Sequence, residues 1–217
     1  MTDILKAIGS VRLVPVIVIN EEENAYPLAQ ALKAGGLPCA EVTFRTAAAA
    51  KAIRAMAADP EIILGAGTVL RPEQVDQALE AGARYIVTPG FSAEVVRACQ
   101  ASSVPVFPGV ATATEMQMAL EAGIEVVKVF PAEAIGGLGM LKALAAPFTM
   151  MRFIPTGGIG LSQLAEYLAF PPVLAVGGSW IAPSALIKSQ SFDKITELAA
   201  QAVAICQAAS DGPEAGR

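Results

Sequence analysis

The chain has 217 residues, of which 54% are hydrophobic and 16% charged, enough apolar material for a large core. Its net charge is −5 and no basic stripe or Lys/Arg run occurs, so nucleic acid is excluded as a partner. It contains no histidine, which removes a Ser-His-Asp triad and a His-ligated metal site and leaves acid–base work to Glu, Asp, Lys, Tyr or water.

A mean hydropathy of +0.53 raises the question of a membrane protein. No run of about 18 apolar residues escapes polar or Gly/Pro interruption, so no membrane contact is expected. The N-terminus MTDILKAIGS lacks a basic region followed by an apolar one, so no secretory signal is expected. Cys39, Cys99 and Cys206 are widely spaced and form no CxxC pattern. They read as small core hydrophobes of a reduced, cytoplasmic protein.

Along the chain, Asp3–Ile8 predicts a short helix covering one end of the fold. Short β-branched runs then alternate with Ala-rich amphipathic stretches. The runs are Val14–Ile19, Cys39–Phe44, Ile62–Thr68, Tyr85–Pro89, Val104–Pro108, Val126–Phe130, Arg152–Thr156 and Val173–Val176. Helical spacing marks Asn24–Ala34, Ala47–Ala57, Pro72–Ala81, Ala93–Ala101, Thr112–Ala122, Leu161–Ala169 and Phe192–Ala209. Pro72 sits in a first turn, Ser92 and Thr112 read as N-caps, and Thr112 with Glu115 fits a capping box. Gly35, Gly36, Gly82 and Gly123 read as helix stops. Alternating strands and helices require parallel crossovers, and eight units in roughly 200 residues fit a closed barrel. No GxGxxG follows the first strand, which speaks against a dinucleotide-binding sheet. The expectation is one (β/α)8 TIM barrel domain over residues 1–217, with a flexible tail over 210–217.

In such barrels the chemistry lies at the C-terminal strand ends. Lys128 interrupts the apolar run Val126–Phe130. Burial disfavours its ammonium form, and a neutral amine attacks ketones; the alternative is a structural ion pair. Strand period puts Glu41, Thr43 and Arg45 on one face, pointing inward. Glu41 and Arg45 then form either a plain salt bridge or an acid/base beside an anion clamp. Gly65 and Gly67 leave room at a strand end where Thr68 offers a hydroxyl; equally, they line a crowded interior. Pro155-Thr156-Gly157-Gly158-Ile159 and Gly177-Gly178-Ser179-Trp180 follow the seventh and eighth strands, where barrels hold phosphate on backbone N–H groups. Tight turns needing positive φ are the other explanation. Glu133 stands near the same mouth, with a direction that strand alternation does not set.

Taken together, Glu41-Val-Thr-Phe-Arg45-Thr, Gly65-Ala-Gly-Thr68, Thr88-Pro89-Gly90, Phe107-Pro108-Gly109, Lys128-Val-Phe130-Pro-Ala-Glu133, Pro155-Thr156-Gly157-Gly158-Ile159 and Val176-Gly177-Gly178-Ser179-Trp180 resemble the 2-keto-3-deoxy-6-phosphogluconate / 4-hydroxy-2-oxoglutarate aldolases. The resemblance covers nearly the whole chain. It implies a class I aldolase of the Entner–Doudoroff pathway that needs no metal or cofactor, acts on a phosphorylated 2-keto-3-deoxy sugar acid to give pyruvate, and assembles as a homotrimer. By the same resemblance Lys128 is the Schiff-base lysine and Glu41 the acid/base. Arg45 and Thr68 bind the pyruvate carboxylate, and Pro89 and Phe130 form the apolar wall. Thr156, Gly157, Gly158, Gly177, Gly178 and Ser179 cradle phosphate. The sequence departs from the family's usual pattern at Phe44 and Val129, both pointing away from the mouth by alternation. The competing functions are a phosphate-binding barrel isomerase or epimerase without an imine, and a non-catalytic binder of phosphorylated ligands.

Overall fold

The structure, a computed structural model, describes residues 3–210. Its strands are β1 Leu13–Ile17, β2 Cys39–Thr43, β3 Ile63–Gly67, β4 Tyr85–Val87, β5 Val106–Phe107, β6 Gly109–Val110, β7 Val126–Val129, β8 Arg152–Pro155 and β9 Val176–Gly178. The helices are α1 Asp3–Val11, α2 Ala25–Ala34, α3 Ala49–Met56, α4 Pro72–Ala81, α5 Ala93–Ala101, α6 Ala113–Glu121, α7 Gly137–Ala145, α8 Leu161–Leu168, α9 Ser184–Lys188 and α10 Phe192–Ser210. Ser210 thus ends the last helix, and residues 211–217, the rest of the expected tail, lie outside the described residues.

The strand pairings are parallel, in the order β5-β4-β3-β2-β1-β9 and β6-β7-β8. β5 and β6 are two halves of one stave. Pro108, which has no N–H for a ladder, separates them, and the stave changes partner from β4 to β7 across the break. On the other side, the bridges Phe153↔Val173 and Thr156↔Gly177 join β8 to β9. The result is a (β/α)8 barrel.

Three differences from the sequence expectation have local causes. The last strand runs over Val176–Gly178 rather than Val173–Val176; Val173 makes one isolated bridge, and the regular ladder to β1 begins at Val176. The glycine pair of the expected eighth loop, Gly177-Gly178, therefore lies inside a strand. Helix α7 was not anticipated: its buried Leu138, Leu141 and Leu144 keep helical spacing, but Gly136, Gly137 and Gly139 dilute the propensity. The short α9 is the third. The caps follow expectation: Glu115 N–H donates to Thr112 Oγ1 at 3.4 Å, Thr112 N–H donates back to Glu115 Oε2 at 2.9 Å, and Gly82 takes φ +104° after α4.

The barrel interior is built in layers. Register puts Val16, Glu41, Gly65 and Tyr85 at one height. A Cβ on Gly65 would lie 2.1 Å from the Tyr85 ring, so the missing side chain is the space that ring fills. Tyr85 donates its hydroxyl to the Ala40 carbonyl at 3.0 Å. Below it, fully buried Ile8 of α1 meets Val14, Val87, Phe107 and Ile154 around a cavity of about 10 Å³, which is close to the minimum for one water. The three cysteines are buried; desolvation pushes Cys39 and Cys99 up to about 12 and Cys206 to about 11, so none is a thiolate near neutrality.

Asp59, in the turn before β3, accepts hydrogen bonds from Gln30 at 2.8 Å, Lys33 at 3.0 Å and the Glu61 N–H at 3.0 Å. Gln30 first, then Lys33, hold its carboxyl down to about 2. A carboxyl depressed in the fold stabilises above its unfolded value near 4 and loses that contribution as pH falls towards 2. Asp59→Asn is therefore expected to melt a few degrees below the parent at pH 7, and the gap should close between about pH 4 and pH 2 in calorimetry. A gap independent of pH would assign the loss to packing rather than charge.

Candidate active site

The strands deliver their C-terminal ends to one rim. Two of them carry buried charge: Glu41 on β2 and Lys128 on β7. Lys128 Nζ donates to Glu41 Oε1 at 3.0 Å, with Oε2 at 3.5 Å, and the two side chains are only 7% and 4% exposed. A lone buried ammonium would be costly, and pairing offsets that cost only with good geometry. Here the geometry is paid for in sequence, because a Cβ on Gly67 would lie 2.1 Å from Glu41 Oε1. Glycine at 67 is what lets the carboxylate stand upright in the barrel. Beneath the pair the floor is the apolar layer of Val87, Phe107 and Ile154. Phe130, two residues along β7's direction, places its ring 5.4 Å from the Lys128 amine.

Arg45 does not pair with Glu41. β2 ends at Thr43, whose hydroxyl is spent on the Ile17 carbonyl at 2.8 Å, and Arg45 lies beyond it, exposed at the rim. Its Nε donates to Thr68 Oγ1 at 3.3 Å. Thr68 sits at φ +53°, in the left-handed region a β-branched residue seldom enters, and so turns its hydroxyl towards the arginine. With Nε engaged, the two terminal nitrogens of the fork can meet a carboxylate side by side. Across the mouth the Pro89 carbonyl packs on Gly109, where a Cβ would come within 2.2 Å of it. Thr88 braces this turn, donating to the Gly90 carbonyl at 2.6 Å and accepting from Gly109 N–H at 3.3 Å.

The third group lies after β8 and β9. Thr156, buried, bridges to Gly177, and a Cβ at 177 would lie 2.1 Å from the Thr156 hydroxyl oxygen. Gly157 and Gly158 follow with φ +102° and +84°, which only glycine adopts easily. Gly178 closes β9, Ser179 is exposed just past it, and the Trp180 indole leans over Gly178 with its N–H buried and unpartnered among the described residues. These residues form an open, backbone-lined cradle suited to an anion.

Glu133 is directed elsewhere. Its Oε2 accepts from Gln163 Nε2 at 2.7 Å and its Oε1 from the Tyr167 hydroxyl, both on α8. Its carboxylate therefore faces α8 rather than the Glu41–Lys128 pair. Gln163 and Tyr167 carried no signal in the sequence, since each reads as an ordinary helix position.

Comparison with known proteins places the whole chain. A family model described as "KDPG and KHG aldolase" matches residues 4–198. A 2-dehydro-3-deoxy-phosphogluconate aldolase of Treponema pallidum is 51% identical over 94% of this chain and 98% of its own. The KHG/KDPG aldolase of Escherichia coli K12 is 45% identical over 88% of this chain and 90% of its own. Among solved structures, the KDPG aldolase of Legionella pneumophila, with pyruvate captured at low pH as a covalent carbinolamine intermediate, superposes with a TM-score of 0.88 at 44% identity, covering 92% of this chain and 97% of that one.

Proposed function

The chain belongs to the KDPG and KHG aldolase family, and from that premise we propose how the three groups at its barrel mouth divide the work. The protein is a class I aldolase, an aldehyde-lyase that splits 2-dehydro-3-deoxy-6-phosphogluconate into pyruvate and glyceraldehyde 3-phosphate through a Schiff base. We propose that it also cleaves 4-hydroxy-2-oxoglutarate to pyruvate and glyoxylate, a reading supported by its likeness to the KHG/KDPG aldolase of Escherichia coli.

Lys128 is the nucleophile. A proton passed from Nζ to Glu41 leaves a neutral amine against the apolar Phe130 ring, and its lone pair adds to the C2 ketone. Glu41 gives that proton to the departing C2 hydroxyl, and loss of water leaves an iminium beside a carboxylate. The C3–C4 bond then breaks with its electron pair drawn into an enamine, while the C4 hydroxyl proton goes to Glu41, directly or through a water. The aldehyde departs, Glu41 returns a proton to C3, and water releases pyruvate. Arg45 and Thr68 hold the carboxylate so that C2 faces Nζ, with Pro89 and Phe130 walling the imine. Thr156, Gly157, Gly158, Gly177, Gly178 and Ser179 take the phosphate, whose binding orients carbons it does not touch.

The observation that carries this assignment is the 3.0 Å contact between two buried charges on strands β2 and β7 over an apolar floor. Intact mass after incubation with pyruvate and borohydride tests it: the wild type should gain one reduced pyruvate per chain. A folded protein that gains nothing would return the assignment to an isomerase or epimerase without an imine.

We further propose a homotrimer acting in the cytoplasm within the Entner–Doudoroff pathway. The family resemblance supports the assembly and the pathway, and three buried, widely spaced cysteines suit a reducing compartment. No helix among the described residues is long and apolar enough to cross a membrane.

A further inference from the structure

Glu133 stands on the turn leaving β7, five residues beyond Lys128, yet no step of the cleavage uses it. Its carbonyl accepts from the Gly136 N–H at 3.2 Å within its own turn, and its N–H and carboxylate run to the phosphate side. Its backbone N–H donates to the Gly157 carbonyl at 3.0 Å, and the preceding Ala132 N–H donates to Thr156 O at 2.8 Å. Its carboxylate accepts from Gln163 at 2.7 Å and from Tyr167. Gln163 in turn accepts from the Gly160 N–H at 3.0 Å. One residue thus grips both ends of the Gly157–Gly160 turn, by its backbone at the first residue and through Gln163 at the last.

The grip is also steric. A Cβ on Gly158 would lie 2.7 Å from the Glu133 Cβ, so the turn rests directly on this side chain. Burial, and then the Glu133 charge, push the Tyr167 phenol up, so it remains a donor through the neutral range. An anion beside a phosphate cradle would ordinarily repel the ligand. Here both carboxylate oxygens are turned onto α8, so the charge is spent on donors behind the turn.

We propose that Glu133 is a positioning residue for the phosphate-bearing end of the substrate: held by Tyr167 and Gln163, it sets the height of the Gly157–Gly160 turn whose N–H groups meet the phosphate. The inference rests on the assignment of that turn to phosphate. Its consequence is selective, because pyruvate carries no phosphate and meets Lys128, Glu41, Arg45, Thr68, Pro89 and Phe130 rather than the Gly157–Gly160 turn.

Glu133→Gln keeps the shape but turns an amide donor towards a donor on α8; Gln163→Leu cuts the tie to Gly160 and leaves Glu133 in place. For each, kcat and KM are measured on 2-dehydro-3-deoxy-6-phosphogluconate, alongside the pyruvate concentration that gives half-maximal borohydride trapping. Circular dichroism on the same samples identifies folded variants. Both variants should raise KM about tenfold, with kcat and half-trapping pyruvate each within about twofold of wild type. Should Glu133→Gln fail to fold, Gln163→Leu decides alone. A parallel rise in half-trapping pyruvate, or a fall in kcat at unchanged KM, would assign Glu133 to the fold or to the chemistry and overturn the proposal. An unchanged KM in a folded variant would overturn it too. A wild type that neither traps pyruvate nor cleaves the sugar acid removes the function itself, and that failure is visible before any variant is made.

Discussion

Lys128→Ala should gain no mass with pyruvate and borohydride, and its turnover should fall by on the order of 10⁴-fold or more, since the covalent route is closed. The same change has a structural cost. It strands the Glu41 carboxylate, 4% exposed and 3.0 Å from the lost amine, with no replacement partner among the described residues. Breaking a buried pair on one side costs about 3–5 kcal/mol, so the variant should also melt clearly below wild type. A double variant, Lys128→Met with Glu41→Gln, removes both charges and should recover much of that stability while staying inactive. Recovery of stability without recovery of trapping is the outcome that separates Lys128's two duties. Trapping that persists in Lys128→Ala would place the imine on another lysine and end the assignment.

Glu41→Gln should behave differently. The amide still reaches Lys128 and still fits the space left by Gly67, so the fold and the pyruvate site persist. What is lost is a group that can accept the C4 hydroxyl proton and return one to C3. Turnover should drop by about 10²–10⁴-fold, the usual contribution of a positioned acid/base. Pyruvate should still be trapped, only more slowly, because imine formation can borrow a proton acceptor from water. The two variants therefore split the cycle: one loses imine and cleavage, the other chiefly cleavage. Equal loss of trapping in both would mean that Glu41 acts mainly by holding Lys128 in place.

Much of this was legible in the chain because strands encode direction. A single charge inside Val126–Phe130, and the alternation from Glu41 to Arg45, place polar groups inside a barrel before any coordinates exist. Alternation ceases to guide where the strand stops, so Arg45 leaves the interior and Glu41 turns to a lysine 87 residues away. Partner choice across a barrel depends on stave order and register, which no local pattern states. The divided stave at Pro108 and the shifted β9 belong to the same class, being set by which neighbour offers a ladder at that height. Glu133 was ambiguous for a further reason. It sits on a turn, where side-chain direction follows from what is packed behind it, and Gln163 and Tyr167 are ordinary residues until α8 docks.

The plug that α1 puts under the barrel also governs traffic. With Ile8, Val14, Val87, Phe107 and Ile154 closing the far end around a space of about 10 Å³, Lys128 is reached from one side alone. The water that hydrolyses the pyruvate imine then enters along the route by which the phosphorylated aldehyde departs. The covalent bond to the lysine already makes the aldehyde leave first and pyruvate second; the closed floor gives both departures, and the water between them, one and the same mouth.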